Sequence, residues 1–238
     1  MKIIIIIFSA FITPFVVAAQ DQLTLNFLAR TYMLKYGKGT ASGFLIRHNT
    51  IDYLVTAKHI FGNNDKQDLL VSTDKGWHKI EGKIYYHTNK QIDIAVIKVS
   101  NMSYDKEGIE LEDYNVALGE WTYFLGFPYG FSTEDNSNIN EGFPMPFIKR
   151  AALSSMITKD SSITLILDGH NNPGFSGGPV IIRNLKTNKL AIVGVISGYI
   201  PQTNKLITPV GTWNYFENSG IIIAYGTKHV IEIINEIR

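Results

Sequence analysis

The sequence predicts an all-β protein, and three observations carry that reading. Apolar residues recur in short runs of strand length, turn-forming residues separate the runs, and helical spacing shows itself only near the C-terminal end. In the first half the runs are Thr31 to Tyr36, Ser42 to Arg47, Ile51 to Thr56, Leu69 to Thr73, Lys79 to Tyr86 and Ile92 to Val99. Gly37-Lys38-Gly39, His48-Asn49-Thr50, Gly62-Asn63-Asn64-Asp65 and Thr88-Asn89 lie between them, and these residue types let a chain reverse because they tolerate left-handed backbone or bond their own turn. The half therefore reads as an antiparallel meander. Residues 101–114 are charged and aperiodic, and a second set of runs follows at Thr122 to Leu125, Phe147 to Leu153, Ile163 to Leu167, Val180 to Ile182, Ala191 to Ser197 and Ile221 to Tyr225. Many short strands with almost no helix point to packed sandwiches or barrels. Ser132 to Glu141, rich in Asn, Ser, Asp and Glu, reads as a surface loop. Thr227 to Ile237 places Val230, Ile233, Ile234 and Ile237 on one helical face, with Thr227 as N-cap, and predicts a docked terminal helix.

Composition narrows the function classes. The chain has 238 residues, 45% of them hydrophobic, which suffices to bury a large core. A formal net charge of +1 and 18% charged residues supply no basic surface for nucleic acid or anionic lipid. Cysteine is absent, which excludes a thiol nucleophile, a disulfide framework and a thiolate metal site. The six histidines have no close ligand spacing and Gly37-Lys38-Gly39-Thr40 lacks the phosphate-loop pattern, so neither a metal nor a cofactor is expected. Lys2, the apolar run Ile3 to Val17 and the small residues Val17-Ala18-Ala19 form a secretory leader, residues 1–19, cleaved after Ala19; an uncleaved anchor is the alternative. A secreted or periplasmic protein of a bacterium is expected, with no stable membrane partner once the leader is removed.

Three segments carry chemistry. Thr56-Ala57-Lys58-His59 ends a strand with an imidazole, and Asp93-Ile94-Ala95 puts a carboxylate at the start of an apolar run, where it needs a partner. Gly174-Phe175-Ser176-Gly177-Gly178-Pro179 is a glycine-rich turn in which backbone amides can converge beside a hydroxyl. Acyl transfer by serine needs these parts: a nucleophile, a base, a group that holds the base, and donors for the oxyanion.

Together the segments resemble the trypsin or chymotrypsin-like serine proteases, most closely the exported bacterial branch that includes the high-temperature-requirement proteases, from about Gly39 to Gly198. The resemblance implies two six-stranded antiparallel β-barrels packed together, residues 20–115 carrying His59 and Asp93 and residues 116–238 carrying Ser176 and the terminal helix. It implies a serine endopeptidase acting on protein or peptide substrates through an acyl-enzyme, with Ser176 as nucleophile, His59 as base and then acid, Asp93 as its orienter, and the amides of Gly174 and Ser176 as oxyanion hole. Gly194-Val195-Ile196-Ser197-Gly198 resembles the strand that pairs with substrate, where a serine reaches the aspartate. His170, Asn171, Ser197 and Tyr199 are then candidates for the substrate pocket, with support of the nucleophile turn as the other role for His170 and Asn171. Two residues depart from the family pattern. Phe175 replaces the aspartate that zymogen-activated members pair with a new N-terminus, and Ile60 replaces a cysteine, so the loop must be ordered by packing or ligand.

Two other classes stay open on the residues alone. Gly174-Phe175-Ser176-Gly177-Gly178 also fits the nucleophile turn of an α/β-hydrolase esterase, with Glu217 and His229 as downstream acid and base, although Gly177, Gly178 and Pro179 disfavour the helix that fold needs. A protease-like binding module with a silent triad is the third.

Overall fold

A computed structural model describes residues 25–62, 68–73, 75–102, 109, 111, 116–133, 143–184 and 187–237. The leader, most of the charged segment 101–114 and most of the loop 132–141 lie outside the described residues.

Two antiparallel sheets form the body. The first contains β1 (Thr31–Tyr36), β2 (Gly39–His48), β3 (Ile51–Thr56), β4 (Leu69–Thr73), β5 (Gly76–Lys79), β6 (Gly82–Tyr86) and β7 (Ala95–Val99), in the order β5-β4-β1-β2-β3-β7-β6. The second contains β8 (Trp121–Gly126), β9 (Phe147–Lys159), β10 (Ser162–Asp168), β11 (Pro179–Arg183), β12 (Leu190–Thr208) and β13 (Gly211–Gly226), closed into the expected six-stranded ring. The first sheet is a half-barrel with seven strands rather than six. The run Lys79 to Tyr86 breaks at Ile80-Glu81 because Ile80 is bonded back to Leu69 and Glu81 to Asn101, so one predicted strand becomes the end of β5 and the whole of β6. A five-residue helix, α1 (Leu25–Ala29), precedes β1, and α2 (Lys228–Glu236) ends the chain.

The period-two rule explains where the core sits. In β2, Leu45 enters the half-barrel with Leu34, Leu54, Phe61 and Ile97, while Phe44 and Ile46 point the other way. On that other face they meet Tyr53, Val55 and Val96 of their own sheet, Ile181, Ile192 and Val195 of the second, and Val230, Ile233 and Ile234 of α2. The central strands are thus apolar on both sides: one face fills the half-barrel, the other the seam between the sheets. Each of these side chains contributes about 1.5–3 kcal/mol on burial. The ring has its own filling of Phe124, Leu153, Leu165, Val180, Ile196 and Ile222.

The face of α2 is the predicted one, but Thr227 makes no side-chain cap; its carbonyl accepts from the amides of Val230 and Ile231 instead. What fastens the helix is a buried histidine. His229 Nε2 accepts the backbone N–H of Ile163 at 2.9 Å, so its proton sits on Nδ1 and is donated to Glu232 at 2.7 Å. His87 accepts from Asn89 N–H through Nδ1 and donates through Nε2 to the same Glu232 oxygen at 3.0 Å. The ring atoms and carboxylate lie within 4.8 Å of one another, a spacing a metal could use, but both nitrogens that face the carboxylate carry protons in this pattern and have no lone pair to give. The cluster is a brace between α2, β10 and the segment after β6.

Burial pushes the His229 imidazole below its ordinary value of 6.5, and this outweighs the upward pull of Glu232, while His87 and Lys228 add to the depression. A second proton would also set Nε2–H against the Ile163 N–H. The folded state therefore binds the proton less readily than the unfolded chain, and the stability from neutral His229 is present above about pH 6.5 and lost as pH falls through the folded value. The unfolding midpoint should drop between about pH 7.5 and 5.5, and His229→Phe should flatten that slope while lowering stability at pH 7.5 by about 1–3 kcal/mol; thermal melts across the range check both.

Candidate active site

His59 lies on a single 3₁₀ turn, Lys58–Phe61, directly after β3. Gly62, at φ 55°, closes the turn by donating its N–H to the His59 carbonyl, and the ring is left half exposed beyond the end of β3. Asp93 lies just before β7 with its carboxylate largely covered. One oxygen accepts the His59 backbone N–H at 2.7 Å; the other accepts His59 Nδ1 at 2.6 Å and the Ser197 hydroxyl at 2.5 Å. Because the carboxylate can only accept, Nδ1 carries the proton and Nε2 is left with its lone pair facing outward. Burial alone would raise the Asp93 carboxyl, but the hydrogen bonds from His59 and Ser197 and the neighbouring imidazole outweigh it and hold the acid below its usual range.

Ser176 comes from the second sheet, on the turn between β10 and β11. Glycine is required here by contact as well as by dihedral angle. A Cβ at Gly174 (φ 103°) would stand 2.2 Å from the Phe127 carbonyl oxygen, one at Gly177 (φ 84°) 2.2 Å from the Ser42 carbonyl, and one at Gly178 2.0 Å from the Leu125 carbonyl. The turn is pressed against backbone on three sides, and Phe175 anchors it from below, fully buried with its ring edge-on to Phe124 at 5.1 Å.

Two peptide planes set the direction of the amides. The Pro173 carbonyl accepts from Tyr129 N–H at 2.7 Å, and the Phe175 carbonyl from Gly178 N–H at 2.9 Å. No peptide bond among the described residues is cis, so the N–H groups of Gly174 and Ser176 point away from those acceptors, and neither has an acceptor among the described residues. The turn that carries the Ser176 hydroxyl thus holds two amide donors without an acceptor among the described residues.

Sequence reasoning passed over Ser42, a wholly buried residue of β2 that ties the two sheets at this point. Its N–H donates to the Ser176 carbonyl at 2.8 Å, its hydroxyl donates to the Gly174 carbonyl at 2.7 Å and accepts from Phe127 N–H at 3.0 Å, and its carbonyl accepts the Thr56 hydroxyl at 2.7 Å. Nothing in the letters around Ser42 distinguishes it from any small strand residue.

Ser176 Oγ donates to the Ser197 carbonyl at 3.0 Å rather than to His59, so Ser197 touches both the hydroxyl and Asp93. Ser176 and His59 line one cavity of about 160 Å³ with Tyr36, Gly39, Thr40, Ala41 and Ile60. Of the pocket candidates, Ser197 is in the cluster and Tyr199 follows it, half-buried, on β12. Asn171 is buried, its carbonyl bound by the Asn218 amide and its Oδ1 without a partner among the described residues, whereas the His170 side chain is exposed and its carbonyl accepts from Lys149 Nζ at 2.7 Å. The esterase reading does not survive: strand β11, not a helix, follows the Ser176 turn, Glu217 is exposed and bonded to Asn204, and His229 belongs to the α2 brace.

The comparisons with known proteins agree with this fold. Solved structures with the same fold include Rv3671c from M. tuberculosis H37Rv, a serine-to-alanine mutant in an inactive form (13% identity, TM-score 0.59, covering 89% of this chain and 88% of that one). The serine endoprotease from Yersinia pestis (16%, 0.60, 91% and 67%) and a serine-to-alanine variant of the HtrA-type protease AlgW with a tripeptide (16%, 0.59, 90% and 64%) share it as well. No curated protein matches significantly. A family model described as a trypsin-like peptidase domain matches residues 41–192, the stretch that contains the His59 turn, Asp93 and the Ser176 loop, and the chain belongs to that family of serine endopeptidases.

Proposed function

We propose that the chain is an exported endopeptidase that hydrolyses peptide bonds through an acyl-enzyme on Ser176, with His59 as base and Asp93 as its orienter. The observation that carries this reading is the Asp93 carboxylate, which holds both the Nδ1 proton and the backbone N–H of His59 and so leaves Nε2 with a lone pair, on a residue that lines the same cavity as Ser176. In the proposed reaction the Ser176 hydroxyl leaves the Ser197 carbonyl and turns to His59. Its oxygen adds to the scissile carbonyl while Nε2 takes its proton, and the Asp93 carboxylate stabilises the imidazolium. The amides of Gly174 and Ser176 receive the oxyanion. His59 returns the proton to the leaving amine, the C–N bond breaks, and a water deprotonated by His59 then cleaves the ester and frees Ser176.

The buried Phe175 ring, packed edge-on against Phe124, supports a loop that is ordered by packing without any N-terminal ion pair. Export rests on the leader pattern at residues 1–19; no helix among the described residues is long and apolar enough to cross a membrane. One observation favours a silent binding module as second reading: the resting bond of Ser176 runs to Ser197 and not to His59. Turnover decides between them, because a module would cleave no peptide in any library.

For the enzyme, Ser176→Ala and His59→Ala should each lower kcat by about a millionfold with folding intact. Asp93→Asn should lower it about ten-thousandfold through the wrong imidazole tautomer. Ser42→Ala leaves the Gly174 carbonyl and the Phe127 amide without their shared hydroxyl, so it should cost about 1–3 kcal/mol of stability. By loosening one oxyanion donor it should also reduce kcat by about tenfold or more with KM little changed. Steady-state kinetics and denaturant melts on the same variants measure these effects.

A further inference from the structure

β12 and β13 outrun the ring to which they belong. β11 accompanies β12 only as far as the Pro179–Val195 pair, the Gly177-Gly178 turn extends that pairing to Ile196, and β10 accompanies β13 only over Ile221–Tyr225. Beyond these points Pro201–Thr208 pairs with Gly211–Asn218 as a two-stranded ribbon, exposed along most of its length. Protruding edges are ordinarily protected by charge. This ribbon carries only Lys205 and Glu217, against Leu206, Ile207, Val210, Trp213, Tyr215 and Phe216, the least exposed of which is Tyr215 at 44%. Leu206 faces Trp213 and Asn204 faces Tyr215 on one side of the ribbon; Ile207 and the Thr203–Phe216 pair lie on the other. The tip is apolar on both sides and packs on nothing else that is described.

The outward edge of β12 has no backbone partner from Gly198 onward among the described residues. That edge starts beside the nucleophile, because the Ser197 carbonyl accepts the Ser176 hydroxyl. A chain added antiparallel to it, with its acyl carbon at Ser176, would run its N-terminal part out along the ribbon. From Ser197 to Leu206 the distance is about nine residues, roughly 30 Å of extended chain.

We propose that the ribbon is an extended substrate-binding arm: an extended polypeptide adds as a third strand to the free edge of β12, and apolar residues about eight to ten places before the scissile bond are gripped by Leu206, Ile207, Trp213 and Phe216. The inference rests on the peptidase reading above. Strand addition takes its hydrogen bonds from the backbone and its selectivity from alternate side chains, so the preferred ligand is unfolded chain with β-branched or aromatic residues at every second position. Pro201 offers no N–H and removes one rung near the start, which shifts the weight of recognition to the tip. A lipid surface is a poorer match, since Lys205 is the ribbon's one cation and an anionic headgroup layer would find little to attract.

The test is a nested set of internally quenched peptides with a constant cleavage site and four constant residues before it, extended N-terminally by zero, four or eight residues of alternating Val and Thr, or of Gly and Ser. For the wild-type chain, kcat/KM should rise by about tenfold between the shortest and longest Val/Thr peptides, several cross-strand pairs of modest strength acting together. The Gly/Ser series and an equal C-terminal extension should give no such rise. In Leu206→Ser/Trp213→Ser, and separately in Lys205→Pro, the ratio of longest to shortest should fall to about one. Equal rates at all lengths, as expected if a second copy of the chain or a lipid surface covers the ribbon, overturn the proposal, and so does a rise that survives both ribbon variants. If no peptide is cleaved, the peptidase reading fails by itself. Fluorescence anisotropy of the same peptides on Ser176→Ala then decides the ribbon: tighter binding of the longest Val/Thr peptide, abolished by adding Leu206→Ser/Trp213→Ser, upholds it, and equal binding overturns it.

Discussion

A carboxylate set into an otherwise apolar seam organises this molecule. Asp93 follows Ile92, precedes Ile94 and Ala95, and lies where the half-barrel meets the ring, so its charge survives only because donors surround it. Two of those donors belong to His59 on the same sheet and the third, Ser197, to the other. The bond to the His59 backbone fixes where the 3₁₀ turn sits, the bond to Nδ1 fixes the ring, and the bond to Ser197 registers the strand that also receives the Ser176 hydroxyl. Removing one donor would leave a buried charge short of partners and disturb both sheets at once.

Ser42 does for the nucleophile turn what Asp93 does for the imidazole. Packing explains why the turn must be glycine-rich, since carbonyl oxygens of Phe127, Ser42 and Leu125 occupy the space that side chains would need. Hydrogen bonding explains which way its amides are turned: the Pro173 and Phe175 carbonyls are tied to Tyr129 and to Gly178, and the N–H groups of Gly174 and Ser176 point the opposite way. The imidazole and the nucleophile turn come from different sheets, so their meeting depends on the apolar seam of Phe44, Val55, Ile181 and Val195 that holds the sheets together.

The strands that bury a face were legible in the sequence, because burial imposes the alternation or the continuous apolar run that marks a strand. Ile51–Thr56 and Leu69–Thr73 lie where their periodicity puts them, as does the buried face of α2. The ribbon was not legible. Gln202, Thr203, Asn204 and Lys205 cover no core, so no period distinguishes them from loop, and only tertiary continuity with β12 and β13 makes them strand. His59, Asp93 and Ser176 could be proposed from the sequence as residue types in a recurring order. Ser42 and Tyr129 act on backbone groups distant in sequence, and the brace joins His87 and the Ile163 amide to α2 from far along the chain, so their letters carry no trace of these roles.

The most direct test of the central claim is covalent labelling of the processed wild-type protein by a fluorophosphonate, with the adduct located by mass spectrometry. A hydroxyl activated by an oriented imidazole beside two free amides should give a single adduct on Ser176, lost in His59→Ala. Folded protein that takes up no label, or carries it on another residue, would contradict the account.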